Sequence, residues 1–145
     1  MRLMDANVIV YTFTGKPKKN NVNPQALKNK ENAKNIIKRL INGDETVYMT
    51  SMQVSEAMNM TEKLIGIENS LRVQDFMLNN PSIKIIEITH QDMLDAHIIS
   101  EKYKENKIGF NDAIAYIGMM KSGCTEIYTF DKHFNIFNEI KCVTE

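Results

Sequence analysis

Residues 2–13, RLMDANVIVYTF, pass from a short extended run into a helical one across a single acidic residue, Asp5. Arg2–Asp5 reads as a strand and Asn7–Phe13 as the helix it feeds. Asp5 stands at the junction, where unpaired backbone N–H groups favour an acid. The same alternation recurs along the chain. Asn23-Pro24 can cap and open a long helix to Asn42, with Ala33, Ile36, Ile37, Leu40 and Ile41 on one apolar face and Gly43 ending it. Thr46–Thr50 is strand-like, and Ser51 can cap a helix carrying Val54, Met58 and Ile65. A further helix covers about Ile67–Asn79 before Pro81. Ile83–Ile88 is an apolar strand, after which Thr89 and Asp92 form a capping-box pattern that opens a helix to about Tyr103. Another helix runs from about Asp112 to Lys121, with Gly123 just past its end. Glu126–Phe130 and Lys141–Val143 read as the last two strands. Short strands separated by helices need right-handed crossovers. The pattern predicts a three-layer α/β/α sandwich around a mostly parallel five-stranded sheet.

At 145 residues the chain is sized for a single domain, residues 1–145, with no internal repeat and no linker. Its hydrophobic content of 43% and charged content of 25% are those of a soluble globular protein. No apolar run approaches the roughly 18 residues of a membrane span, and the N-terminus lacks the pattern of a secretory signal. Cys124 and Cys142 are far apart with no neighbouring ligand pattern, which suggests free core thiols and a cytoplasmic setting rather than a disulfide framework or a zinc site. With 18 basic and 18 acidic side chains the formal charge is zero, so global basicity does not argue for nucleic acid. The charge is unevenly spread, however. Lys16, Lys18, Lys19, Lys28, Lys30, Lys34, Lys38 and Arg39 crowd one segment that holds a single acid, Glu31. That run is either a solvated helix face or a phosphate-contacting patch.

Four acids stand at related positions: Asp5 in LMDANVIVY, Glu56 in TSMQVSEAM, Asp112 in FNDAIAYIG and Asp131 in YTFDKHF. Singly, each is explained as a helix-start or exposed-helix residue. Together they imply more, because parallel strands present their carboxyl ends along one edge, where ligands bind. Asp5 and Asp131 lie on that edge, and helical side chains lean toward the helix start, which brings Glu56 and Asp112 to face it. Two carboxylates about 4 Å apart repel by roughly 4 kcal/mol at an effective dielectric near 20. Four in one pocket call for protonation or a cation, and an all-oxygen donor set suits Mg²⁺ or Mn²⁺. Such an ion activates water and neutralises charge on phosphate oxygens, the two needs of phosphodiester hydrolysis.

LMDANVIVY, TSMQVSEA, FNDAIAYIGMMKSGC and YTFDKHF, in this order and spacing, resemble the PIN-domain family, particularly the small VapC-type toxins of prokaryotic toxin–antitoxin pairs. The resemblance covers nearly the whole chain. It implies a PIN-like fold and a metal-dependent endoribonuclease. Asp5, Asp112 and Asp131 would ligate the metal, and Glu56 would ligate it or hold a water at it. Asn7, Ser51 and Thr129 would orient carboxylates or waters. It further implies an RNA substrate, an antitoxin partner and a homodimer, with Lys16, Lys18, Lys19 and Lys132 positioned for RNA phosphates. The loop at 14–24 is longer and more basic than in the most compact members. Two rival readings are an RNA-processing nuclease of the same family and a non-catalytic RNA- or protein-binding module that keeps the fold.

No Gly-rich dinucleotide or P-loop motif is present. Asp5-Ala6-Asn7 lacks the second acid of the Asp-x-Asp phosphoryl-transfer motif. Of the three histidines, His97 is expected as partly buried packing and His133 as a surface residue close to Asp131. Asp92 and Asp95 read as capping and solvated acids. The ten methionines fit core filling, and a Met- and Leu-bearing groove along 52–79 would suit a partner helix.

Overall fold

A computed structural model of the chain describes residues 1–14 and 23–145. Its sheet has five strands in the order β3-β2-β1-β4-β5: β1 Arg2–Met4, β2 Val47–Thr50, β3 Ile83–Ile86, β4 Glu126–Tyr128 and β5 Lys141–Val143. Every pairing is parallel. Alternate residues of each strand face opposite sides. Met4, Met49 and Tyr128 enter one core with helices α1 (Ala6–Phe13), α2 (Pro24–Asn42) and α3 (Ser51–Asn79). Leu3, Tyr48 and Ile127 enter the other, beneath α4 (His90–Lys102) and α5 (Phe110–Ser122). This is the expected three-layer sandwich.

Strand order decides where a site can form. The chain builds outward from β1 through β2 to β3 on one face, then returns across the other face through α4 and α5 to lay β4 on the free side of β1. The crossovers leave β1 and β4 in opposite directions, and a crevice opens at their carboxyl ends. Asp5 and Asp131 follow those two strands.

Local signals place most elements. Asn23 accepts from the Gln25 N–H at 2.9 Å, Pro24 fills the first turn, and Gly43 ends α2 at φ 77° in the left-handed region. Gly66, at φ 83°, breaks α3 internally where two helices were expected. The cap of α3 is Thr50 rather than Ser51. The Thr50 hydroxyl accepts from Gln53 N–H at 3.0 Å, and the Gln53 side-chain Oε1 accepts in return from Thr50 N–H. Ser51 turns away and accepts from Ile88 N–H at 3.1 Å. That bond takes the end of the Ile83–Ile88 run out of the ladder, so β3 stops at Ile86.

Two burial expectations are corrected. Ile41 lies on the outer side of α2 and is 60% exposed. His97 is exposed because α4 buries the face carrying Met93, Ala96 and Ile99, with His97 one position off it. Cys124 is buried and Cys142 half-buried, both as free thiols. Among the described residues no helix is long and apolar enough to cross a membrane.

At the base of the sheet, Tyr128 donates its hydroxyl proton to Glu45 at 2.7 Å and accepts from Arg2 and Arg39 at 2.7 and 3.0 Å. Arg39 also pairs with Glu45. Lys30 donates to the Tyr11 and Thr14 carbonyls. Two members of the basic run are therefore committed to holding the fold. Lys28, Lys34 and Lys38 are exposed.

Candidate active site

Asp5 caps α1, its Oδ1 accepting from Ala6 N–H at 2.8 Å. Its Oδ2 accepts from the Thr129 hydroxyl at 2.8 Å. Thr129 is buried just past β4, and its oxygen accepts in turn from Asp131 N–H at 3.0 Å and from the Asn7 amide at 3.3 Å. One hydroxyl thus ties the exit of β1 to the exit of β4 and fixes which way the Asp5 carboxylate points. Asn7 accepts from Phe130 N–H at 3.5 Å, a long bond, and so lies against the same stretch. Ser51, bonded to Ile88, is not part of this set.

Asp112 sits at the third position of α5, not at its start, and its Oδ2 accepts from Gly109 N–H at 3.1 Å. Gly118, two turns on, has no room for a side chain: an added Cβ would overlap the Thr50 methyl group. That close approach of α5 to the end of β2 sets the helix start beside the crevice. Asp131 lies beyond the strand end as the cap of a 3₁₀ turn, Lys132–Ile136, accepting from His133 N–H at 2.8 Å. The imidazole folds back over it. His133 Nδ1 is 3.1 Å from Asp131 Oδ1 and 3.8 Å from Asp112 Oδ2.

The carboxyl groups feel one another. Asp5 is ringed by protein, and burial pushes it up to about 7 despite the Thr129 bond, with Glu56 and Asp112 adding repulsion. Burial also raises Glu56; the Asn111 side chain opposes this and the Asp112 charge reinforces it. Asp112 rises through burial and its neighbour Asp131, against the Gly109 N–H and His133. Asp5, Glu56 and Asp112 thus each feel the charge of at least one other carboxylate. One donor atom each from Asp112, Asp131 and His133 lies within 4.8 Å of the other two. Oxygen donors under mutual repulsion, held by hydrogen bonds to hydroxyl and backbone groups, have the chemistry to hold a divalent cation.

Clefts open beside the acids. One of about 380 Å³ is lined by Gln25, Asn29, Phe130, Asp131 and the exposed Lys132. Another of about 250 Å³ runs past Ser55, Glu56, Asn59 and Asn111. Lys16, Lys18 and Lys19 lie outside the described residues. Sequence reasoning missed Asn111 and weighed His133 mainly as a surface group. Adjacency to Asp112 in FND was the signal available for the first; the second depends on a turn with no periodicity to read.

The PIN domain family model matches residues 21–140, a stretch that holds Glu56, Asp112 and Asp131 and begins after Asp5. Among solved structures the chain is similar to Mycobacterium tuberculosis VapC20, described as a sarcin-ricin loop cleaving toxin. The TM-score is 0.73 at 13% identity, with 94% of each chain covered. No curated protein matches it in sequence.

Proposed function

The chain belongs to the PIN-domain family, and on that footing we propose that it is a divalent-metal-dependent endoribonuclease acting as the toxin of a toxin–antitoxin pair. What supports the reading is that Asp112 and Asp131 bring carboxylate oxygens within 4.8 Å of each other and of His133, while Glu56 and Asp112 stand near enough for their charges to raise the Asp5 carboxyl. Asp5, Asp112 and Asp131 hold Mg²⁺ or Mn²⁺. When bound, the ion supplies activation of water and neutralisation of charge on the phosphate oxygens. Asn7 and Thr129 keep Asp5 and the Asp131 backbone in register. Glu56, half-buried and lining the smaller cleft beside Asn111, orients the attacking water and accepts its proton at a carboxylate oxygen. The water oxygen bonds to phosphorus, one P–O ester bond breaks, and the leaving oxygen takes a proton from solvent and departs as the hydroxyl of the released chain end. Lys132, at the mouth of the larger cleft, positions a backbone phosphate, and Lys16, Lys18 and Lys19 are assigned the same task.

The similarity to VapC20, a sarcin-ricin loop cleaving toxin, puts structured ribosomal RNA first among substrates to try. Partner binding falls to α3, whose Met60, Leu64, Ile67 and Leu71 are exposed apolar residues. The antitoxin and a second subunit are its proposed occupants, in the cytoplasm.

The test is cleavage of labelled RNA by purified protein with Mn²⁺, with Asp5→Asn alongside. Cleavage confined to the wild type supports the site, and equal cleavage by both proteins refutes it. Co-expression with the neighbouring gene tests the toxin role: relief of growth arrest is expected, and unrelieved arrest or no arrest counts against it.

A further inference from the structure

We propose that His133 is itself a ligand of the metal ion and that its nitrogen biases the site toward Mn²⁺ over Mg²⁺, an inference that rests on the metal-nuclease reading above. The argument is one of spacing. Adjacent ligands of an octahedral ion with bonds of about 2.1 Å lie about 3 Å apart, and opposite ligands about 4.2 Å. His133 Nδ1 stands 3.1 Å from Asp131 Oδ1 and 3.8 Å from Asp112 Oδ2, between those two separations.

The placement is built by the chain rather than left to a free rotamer. The Asp131 carboxylate accepts the His133 backbone N–H at 2.8 Å, which curls the turn so that the imidazole returns over the carboxylate that starts it. Phe134, next in sequence and fully buried, pins the turn to the core beneath α5. The outer side of His133 is open, 47% exposed, so water can complete the remaining positions around an ion.

Nitrogen is what distinguishes this arrangement from a bare carboxylate cluster. Carboxylate and water donors suit both Mg²⁺ and Mn²⁺, whereas imidazole suits transition metals and offers little to hard Mg²⁺. An oxygen-only site would discriminate weakly between the two ions. With His133 in the donor set, discrimination follows from the ligand itself.

Pulsed EPR of the Mn²⁺-loaded full chain reads the bond directly. Nitrogen hyperfine modulation is expected in the wild type, absent in His133→Ala, and retained in His97→Ala, whose imidazole lies on the outer face of α4. Loss of an outer-shell partner costs about 10–100-fold in metal affinity. Removal of a direct ligand should therefore weaken Mn²⁺ binding by at least about tenfold in calorimetric titration, with a smaller change for Mg²⁺. Because the side chain is exposed, His133→Ala should fold, and unchanged circular dichroism and melting check this. Bound Mn²⁺ with no nitrogen coupling in the wild type overturns the proposal and leaves the nuclease reading standing, His133 then being only an ion-pair partner of Asp131. A wild type that binds no Mn²⁺ overturns both.

Discussion

Replacing Asp5 by Asn should make the metal-free protein more stable at neutral and alkaline pH. The Asp5 carboxyl rises from an ordinary value of 3.8 to about 7, chiefly through burial, with Glu56 and Asp112 contributing repulsion. A group whose native pKa lies above its unfolded one binds more protons in the native state, so stability is lost as pH rises between those values. At about 1.4 kcal/mol per pH unit, the cost of holding Asp5 ionised in the fold reaches about 4 kcal/mol above pH 7. The Asn variant escapes that cost but weakens one hydrogen bond, because Thr129 already accepts from Asp131 and Asn7 and must rearrange; this offsets about 1–2 kcal/mol. The net gain of about 2–3 kcal/mol corresponds to a melting temperature about 5–10 °C higher in chelator at pH 8. Below about pH 5 native Asp5 is protonated and the difference should vanish or reverse. Added Mn²⁺ should restore the wild type, by about 2.7 kcal/mol at one hundred times its dissociation constant, and act less on the variant. Thermal melts at pH 5 and pH 8, with EDTA and with Mn²⁺, measure all four terms. A variant that melts lower than wild type at pH 8 in EDTA would refute the reasoning.

Thr129→Val removes the hydroxyl that joins Asp5 to Asp131 N–H and should weaken metal binding about 10–100-fold while the chain still folds; unchanged Mn²⁺ affinity in titration would show that the hydroxyl orients nothing. Gly118→Ala forces a methyl against Thr50 and should cost about 1–3 kcal/mol in urea unfolding, and a neutral result would mean that α5 can shift freely. Burial pushes the Glu45 carboxyl up, but bonds from Tyr128, Arg39 and Arg2 win and hold it below its usual value. Its contribution is therefore present above the usual carboxylate range and lost as pH falls through the lowered value. Glu45→Gln should cost about 1–3 kcal/mol at pH 7 and less at pH 3 by urea unfolding, and an equal cost at both would deny the network its charge dependence. Paired Leu64→Glu and Leu71→Glu substitutions, both at exposed positions, should leave the melting temperature nearly unchanged and abolish self-association in light scattering; an unaltered molar mass would remove α3 from the interface.

The parts of the fold that could be read early are those whose causes lie within a few residues. Pro24–Asn42 is such a case: its cap, its first-turn proline and its terminating glycine are all local, and the helix starts and stops where they stand. Thr89 with Asp92 is another. Errors fell where a distant group competes for a local one. The Ile83–Ile88 run promises six strand residues, yet Ile88 gives its N–H to Ser51 from another segment. Ile41 fits the helical period of α2 and still faces outward, because no element among the described residues covers it.

The candidate site divides the same way. That Asp5, Asp112 and Asp131 stand near helix starts follows from backbone N–H groups needing acceptors, which neighbouring residues alone dictate. Which strands become neighbours does not, since β1 meets β4 across more than a hundred intervening residues through packing on both faces. The amino-acid order therefore determined the elements, their layering and the identity of the acids. Tertiary structure alone decided that Thr129 bridges Asp5 and Asp131, that Ser51 belongs elsewhere, and that His133 folds back beside two carboxylates. The reason is physical: capping and periodicity are properties of a segment, whereas burial, repulsion and a shared hydroxyl exist only between segments that folding has brought together.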